Sequence, residues 1–383
     1  MKILFFTDTF LPEISGVVTS VVNFSKRLAE RGHEIFIFTT QKKSAEKIDL
    51  GPRIHLRYFK PMNFLIKYPD FHLAQPEIIK TFKDIREIKP DIIHLHIPSP
   101  QTWMAIVLAR HYNIPVIATY HTLLPKFLGH TSLRVLGNGK SMEKLAWAYT
   151  KTYYNRLNLI ITPSKVMKQQ LARHGVKKKI EVVSNGVDET VFSYNPIAHD
   201  KIRLLHLGRI SDEKNIDQVV QAFKLARQKN DQLTLSILGD GPALGSIKKL
   251  VEDLNLGGDV TFISPQPLSE LPKFYNAHDM FVTASPIETE GIVILEAMTC
   301  GLPIVGCREM AVPHLVRHNK NGYLFENGDI DRMAEYMQTL AMNVKKRKRF
   351  SRNSLEMSKR YALKRSIDKI EGIYKKLIKK NVK

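Results

Sequence analysis

Residues 202–215 read IRLLHLGRISDEKN: a short apolar run, then a glycine and an arginine, then a polar turn. The run Ile202–Leu207 has the length and continuity of a buried strand, and Val219, Val220, Phe223 and Leu225 beyond the turn recur at helical spacing. A second apolar run, Leu233–Leu238, follows. The chain opens in the same order: a strand at Lys2–Phe6, a Pro-Glu-Ile-Ser-Gly turn, then Val17, Val18, Val21, Val22 and Leu28 along one helix face. Ser15 is placed to cap that helix and Gly32 to end it, before a strand over 35–39. A strand–helix–strand unit therefore occurs twice.

Working outward, strands are predicted at Ile92–Leu95, Val116–Thr119, Leu159–Thr162 and 181–183 in the first half. In the second half they are predicted at Val260–Ile263, Met280–Thr283 and 303–306. Helical patterns separate most of them, which predicts parallel sheets with right-handed crossovers. The expected fold class is α/β, with two doubly wound domains, 1–194 and 195–360, linked near 194–200. At 383 residues the chain is long enough for both, since a usual domain takes ~100–200 residues. A last helix is predicted over 361–379, and 345–349 reads as a charged connection.

Two cysteines, Cys300 and Cys307, form no metal-ligand spacing and read as packed thiols in a reducing, intracellular setting. MKILFF is expected not to be a secretory leader, because Asp8 interrupts it. No run approaches the ~18 apolar residues that span a bilayer. The unusual total is charge: 58 basic and 37 acidic residues leave +21, which asks for an anionic partner. It is concentrated, with 12 basic residues against one acid over 122–179 and 16 against three over 345–383.

In such sheets ligands sit beyond the carboxyl ends of strands. Arg209 and Lys214 follow one strand near a helix start, where amides and the helix dipole favour a phosphate; alternatively they are surface cations flanking a loop. Gly239, Asp240 and Gly241 follow another, where glycines let backbone approach a flat ligand such as a nucleobase, although the same residues also make an ordinary turn. In SPIETEGIVILEAMTCGLP, residues 285–303, Glu288 is expected in a loop and Glu296 inside a helix that Gly301 ends. Carboxylates accept hydrogen bonds from sugar hydroxyls, and a glycosidase acid–base pair would use the same groups. Taken singly, either glutamate is more simply a cap or a solvated charge. His94, His96 and His121 stand at strand ends; one alone reads as structural, three suggest a site, and no ligand set for a metal accompanies them.

Together these residues resemble the retaining glycosyltransferases of family 4, which have the GT-B fold. The resemblance is carried by GRI-x3-KN at 208–215, LGDGP at 238–242, the E-x7-E span with LEAM-x-CGLP, Asn185-Gly186-Val187-Asp188, and ISGVVTSV near the start. It covers nearly the whole chain. It implies two Rossmann-like domains facing across a cleft, the second holding a nucleotide sugar and the helix over 361–383 crossing back to the first. Arg209 and Lys214 would hold the diphosphate, Glu288 the sugar hydroxyls and Glu296 the ribose, with the Gly291 and Ile292 amides on phosphate. His121 resembles the family's active-site histidine and Gly16 its donor-approaching loop. Retention is then expected by front-face displacement, with no side-chain nucleophile, no metal and no cofactor, the nucleotide sugar being a substrate. The usual E-G-F-G reads Glu288-Thr289-Glu290-Gly291 here, and similar forms occur in lipid-glycosylating members. Asp329-Ile-Asp331 resembles a metal-binding DxD but opens a helix, so capping is expected.

The stretches ISGVVTSVVN and TYHT resemble bacterial diacylglycerol glucosyltransferases. The expected reaction is transfer of glucose from UDP-glucose to a lipid hydroxyl such as that of diacylglycerol, peripherally at the cytoplasmic membrane face. Alternatives are a GDP-mannose-dependent enzyme acting on phosphatidylinositol or a soluble glycan, and a non-catalytic binding module. On a helix over 140–155, Lys140, Lys144, Trp147, Lys151 and Tyr154 share one side, a pattern suited to anionic lipid, with Lys126 in a nearby apolar segment. The alternative is a solvated basic helix with Trp147 in the core. A nucleic-acid partner is not expected, since no binding motif accompanies the charge.

Overall fold

The computed structural model describes residues 1–13, 15–40, 48–62, 73–121, 123 and 139–381. They form two compact units, Met1–Asn185 with Ser366–Lys383, and Gly186–Arg365.

The first unit contains β1 (Lys2–Phe6), β2 (Glu34–Thr40), β3 (Ile54–Phe59), β4 (Pro61–Met62), β5 (Leu73–Ala74), β6 (Ile92–Leu95), β7 (Val116–Thr119), β8 (Leu159–Thr162) and β9 (Ile180–Val182). Seven of these make one parallel sheet in the order β3-β2-β1-β6-β7-β8-β9, while β4 and β5 pair antiparallel. KILFF is apolar almost throughout because β1 lies in the middle and is covered on both faces. Chain order reverses between β1 and β6, and the residues leaving these strands meet there: the His96 amide donates to the Phe6 carbonyl at 2.9 Å. Ser15 caps the helix Gly16–Glu30, its Oγ accepting from the Val18 amide at 3.3 Å.

The second unit contains β10 (Ile202–Leu207), β11 (Leu233–Leu238), β12 (Val260–Ile263), β13 (Met280–Thr283), β14 (Ile304–Cys307) and β15 (Gly322–Phe325). All are parallel, in the order β12-β11-β10-β13-β14-β15, with the reversal between β10 and β13. Alternate strand residues feed two cores. Leu204, Leu235, Val282 and Val305 pack with the helices Ile216–Arg227 and Ile330–Met342, while Leu205, Phe281 and Ile304 pack with the helix Ile292–Thr299.

Several expectations shift. The units divide after Asn185 rather than near 194, because Val187 and Phe192 already belong to the second core and Val187 exchanges backbone bonds with Tyr361 and Leu363 at 2.9 Å. β3 and β15 were not predicted: β3 is an edge strand of mixed polarity and β15 is four residues opening on glycine. The charged connection at 345–349 is instead the first part of the helix Val344–Ser358, anchored by buried Phe350. The last helix runs Leu363–Asn381, and its Tyr374 hydroxyl meets His94 Nδ1 at 2.6 Å within the first unit. Asp329 caps the helix Ile330–Met342, accepting from the Arg332 amide. Both cysteines are buried and free.

Candidate functional site

In the second unit the loops leaving β10 and β11 are stitched together. Gly208 donates to the Leu238 carbonyl at 3.0 Å, Ile210 to Asp240 at 2.9 Å, and Ala243 to Ile210 at 3.1 Å. This packing explains Gly239: its φ is +151°, and a Cβ would collide with the Gly208 carbonyl. The neighbouring loop, not a ligand, demands glycine there. Asp240 is exposed, and its carboxylate accepts from the Gly241 amide at 2.7 Å.

Past Gly208, half-buried Arg209 precedes a single turn of tight helix, Asp212–Lys214, and Asn215 at φ +50° redirects the chain into the helix Ile216–Arg227. That turn aims Lys214 at the loop after β13. Its Nζ lies 2.6 Å from Glu288 Oε1. Burial raises the Glu288 carboxyl, but the Lys214 charge and hydrogen bond outweigh it and hold the group below the usual carboxylate range. Beside them His206, at the end of β10, donates from Nδ1 to the Val282 carbonyl at 3.0 Å, and burial lowers its pKa to about 4.

Gly291, at φ +80°, turns the loop into the helix Ile292–Thr299. Among the described residues the Gly291 and Ile292 amides donate to no protein acceptor, while the Gly291 carbonyl takes the Ile294 and Leu295 amides at 3.0 Å. Two free amides at a helix start suit an anion. Glu296 lies one turn in, buried, its Oε2 accepting from the Tyr275 hydroxyl at 2.7 Å. Burial raises its pKa to about 7 against that bond. Glu290 is also buried, at 3% exposure.

In the first unit Gly16 is exposed at the start of its helix, and His121 leaves β7. His121 Nε2 lies 3.0 Å from His96 Nδ1. Burial lowers the pKa of His121 to about 3, so the ring is neutral. Asp8 is not among the expected site residues, and the structure singles it out as a buried carboxyl. It leaves β1 at the reversal point, is buried, accepts the Ala74 amide on Oδ1 at 2.6 Å, and is raised by burial to about 7. Its position after a central strand was the available signal.

The structure divides the residues expected to face lipid. In the helix Gly139–Tyr154, Lys140, Lys144 and Lys151 are exposed, but Trp147 is only 8% exposed and stacks on His174 at 3.5 Å, and Tyr154 is buried. The large rings fill the core, and the outer face keeps the cations with Leu145. Lys126 lies outside the described residues. On the helix Val344–Ser358, Lys345, Lys348, Arg349 and Arg352 are exposed at i, i+3, i+4 spacing, and none has a carboxylate within ion-pair distance among the described residues. No group of three His, Cys, Asp or Glu among the described residues is placed to hold a metal, and no described helix is long and apolar enough to cross a membrane. A cavity of about 400 Å³, lined in part by Ile85, Tyr112 and Ile378, lies in the first unit and includes none of the predicted site residues.

Residues 14–191 match the family described as Glycosyltransferase Family 4, and residues 187–357 match that described as Glycosyl transferases group 1. The alpha-monoglucosyldiacylglycerol synthase of Streptococcus pneumoniae (strain ATCC BAA-255 / R6) is 28% identical over 339 residues, covering 85% of this chain and 75% of its own. The protein of that name from Acholeplasma laidlawii is 25% identical, covering 100% and 99%. The solved structure of Anabaena HepE in complex with UDP-glucose has a TM-score of 0.78 at 19% identity, covering 98% of this chain and 100% of that one. That likeness speaks for the fold. With both halves matched in order and two parallel α/β units beneath them, the chain belongs to the family 4 glycosyltransferases of GT-B fold.

Proposed function

We propose that the protein transfers glucose from UDP-glucose to a lipid hydroxyl, with diacylglycerol as the acceptor class, at the cytoplasmic surface of an anionic membrane. The observation that carries the donor site is the Lys214–Glu288 contact at 2.6 Å, which puts a cation and a hydroxyl-binding carboxylate side by side. Two unpaired amides, Gly291 and Ile292, stand at the helix start in the same loop. A diphosphate needs the cations and amides; a sugar needs the carboxylate. The names of the two synthases and the UDP-glucose bound by HepE support the choice of donor and acceptor. The exposed cations of the helices Gly139–Tyr154 and Val344–Ser358 support an anionic surface.

In this reading the acceptor oxygen attacks the anomeric carbon on the face the phosphate leaves. The carbon–phosphate-oxygen bond breaks, and the departing phosphate takes the acceptor's proton. Charge then develops on the leaving oxygen, where Arg209, Lys214 and the amides stabilise it. In the second unit Glu288 holds the sugar hydroxyls and Glu296 the ribose; for neutral His121 and for Gly16, in the first unit, the roles proposed are those that the family resemblance implies.

The test supplies labelled UDP-glucose or GDP-mannose with diacylglycerol vesicles, with and without anionic lipid, and extracts the organic phase. Glucose label in lipid, dependent on anionic vesicles, is expected. Label from GDP-mannose, or only in water-soluble product, would replace this reading with the mannosyl or soluble-glycan one. No label from either donor would leave a binding module.

A further inference from the structure

His96 and His121 leave neighbouring strands and are joined ring to ring, His96 Nδ1 lying 3.0 Å from His121 Nε2 with the planes 20° apart. One hydrogen sits between those nitrogens, so one ring donates and the other accepts. The direction is decided at the far side of His96. Its Nε2 is buried without a hydrogen-bond partner among the described residues, in a ring only 2% exposed.

If His121 donated, neutral His96 would carry its hydrogen on Nε2 and bury an N–H that has no acceptor. If His96 donates from Nδ1, Nε2 keeps only a lone pair. A neutral imidazole has one N–H to place, and orphaned buried N–H groups are the rarer defect. Doubly protonated rings do not enter, because burial lowers His96 well below the usual range, helped by His94 and His121. His94 does not compete for the bond. Its nitrogens are occupied by the Tyr374 hydroxyl at 2.6 Å and the Thr119 hydroxyl at 2.7 Å. Its ring centroid lies 4.2 Å from that of His96, and that of Phe5 lies 5.1 Å away, so both rings pack against His96.

We propose that His96 is the positioning residue for His121: donating from Nδ1 to His121 Nε2, it holds His121 as the Nδ1–H tautomer, so that His121 offers a neutral N–H and no lone pair. The use of that N–H, though not the tautomer, rests on the reading of His121 as the histidine beside the transferred sugar. A donor there can hydrogen-bond a sugar oxygen. It cannot remove the acceptor's proton, which must then leave with the phosphate.

The experiment labels the histidines of the full chain with ¹⁵N and identifies the His121 nitrogens by comparison with His121→Gln. The expected result is hydrogen on His121 Nδ1 and none on Nε2. His96→Phe removes the donor, His96→Asp puts an acceptor in its place, and His96→Asn restores an amide N–H at the Nδ1 position. Transfer should fall about 10- to 100-fold in His96→Phe and His96→Asp, with His121 switching to Nε2–H in the latter, and His96→Asn should recover most of the loss. Hydrogen on Nε2 in the unaltered protein, or folded His96→Asn as impaired as His96→Phe, overturns the proposal. If the variants do not fold, the tautomer of the unaltered protein decides it alone. Full activity in His121→Ala would instead remove the site reading beneath, and the measured tautomer would stand.

Discussion

Lys214 Nζ and Glu288 Oε1, 2.6 Å apart, join the loops that leave β10 and β13 on either side of the chain reversal in the second sheet. Neither residue is near the other in sequence, and each is half-buried, with side-chain exposures of 23% and 14%. Replacing Lys214 by Met leaves Glu288 charged without its partner and should lower stability by about 1–3 kcal/mol at neutral pH. Glu288 is held below its ordinary pKa, so the contribution is present above pH 4.5 and is lost as pH falls through the folded value. Urea unfolding of Lys214→Met, Glu288→Gln and the double variant should show coupling that fades in acid. Strict additivity at pH 7 would mean the contact contributes nothing.

Glu288→Ala should also abolish transfer while circular dichroism stays that of the folded protein and the melting temperature falls only by the few degrees that loss of the Lys214 contact implies. The carboxylate lies at a loop end, outside both cores, so its loss leaves packing intact. Undiminished turnover would remove Glu288 from the site.

Glu296 behaves in the opposite sense. Its folded pKa of about 7 exceeds the ordinary 4.5 because the carboxyl is buried on the Tyr275 hydroxyl. Below pH 4.5 both states are protonated and the group has no effect; above it the unfolded chain ionises first. The folded state therefore loses stability progressively as pH rises from 4.5 towards 7, by about 3 kcal/mol in all. Glu296→Gln should remove that slope from stability measured at a series of pH values. An unchanged slope would show that Glu296 ionises in the folded protein as it does in water.

The strands were legible where burial is two-sided. β1, β10, β11 and β13 are short apolar runs with turns at each end, and their predicted limits match the structure. β3 was not, because an edge strand carrying His55 and Arg57 lacks that contrast. Motif order placed Lys214, Glu288 and Glu296 after the right strands, but their partners are set by tertiary packing: Lys214 to Glu288, Glu296 to Tyr275, His121 to His96. Trp147 was misplaced for a related reason. Helical angle alone does not say which side of an amphipathic helix faces the core when rings and lysines alternate on both.

Trp147 supplies a direct check of that correction. Stacked on His174 in the core, it should emit at short wavelength in a Trp103→Phe background and should not shift when anionic vesicles are added. Trp147→Ala should destabilise by about 3–5 kcal/mol through the cavity it leaves. A blue shift on vesicles would return the ring to the lipid face.

Charge on the helix Val344–Ser358 makes two effects of one substitution run in opposite directions. Lys345 and Lys348 sit near its N-terminus, where the dipole favours acids, and no carboxylate lies within ion-pair distance of either among the described residues. A cation in the first turn, as Lys345 is, disfavours the helix by about 0.3–1 kcal/mol. Lys345→Glu should therefore raise the melting temperature slightly. On an anionic membrane the same side chains, with Arg349 and Arg352, would contribute about 1 kcal/mol apiece. Reversing all four should weaken co-sedimentation with anionic vesicles steeply at low salt, and the difference should shrink as salt screens the surface. If stability rises and sedimentation does not change, these cations face water in the working enzyme and the membrane contact lies elsewhere.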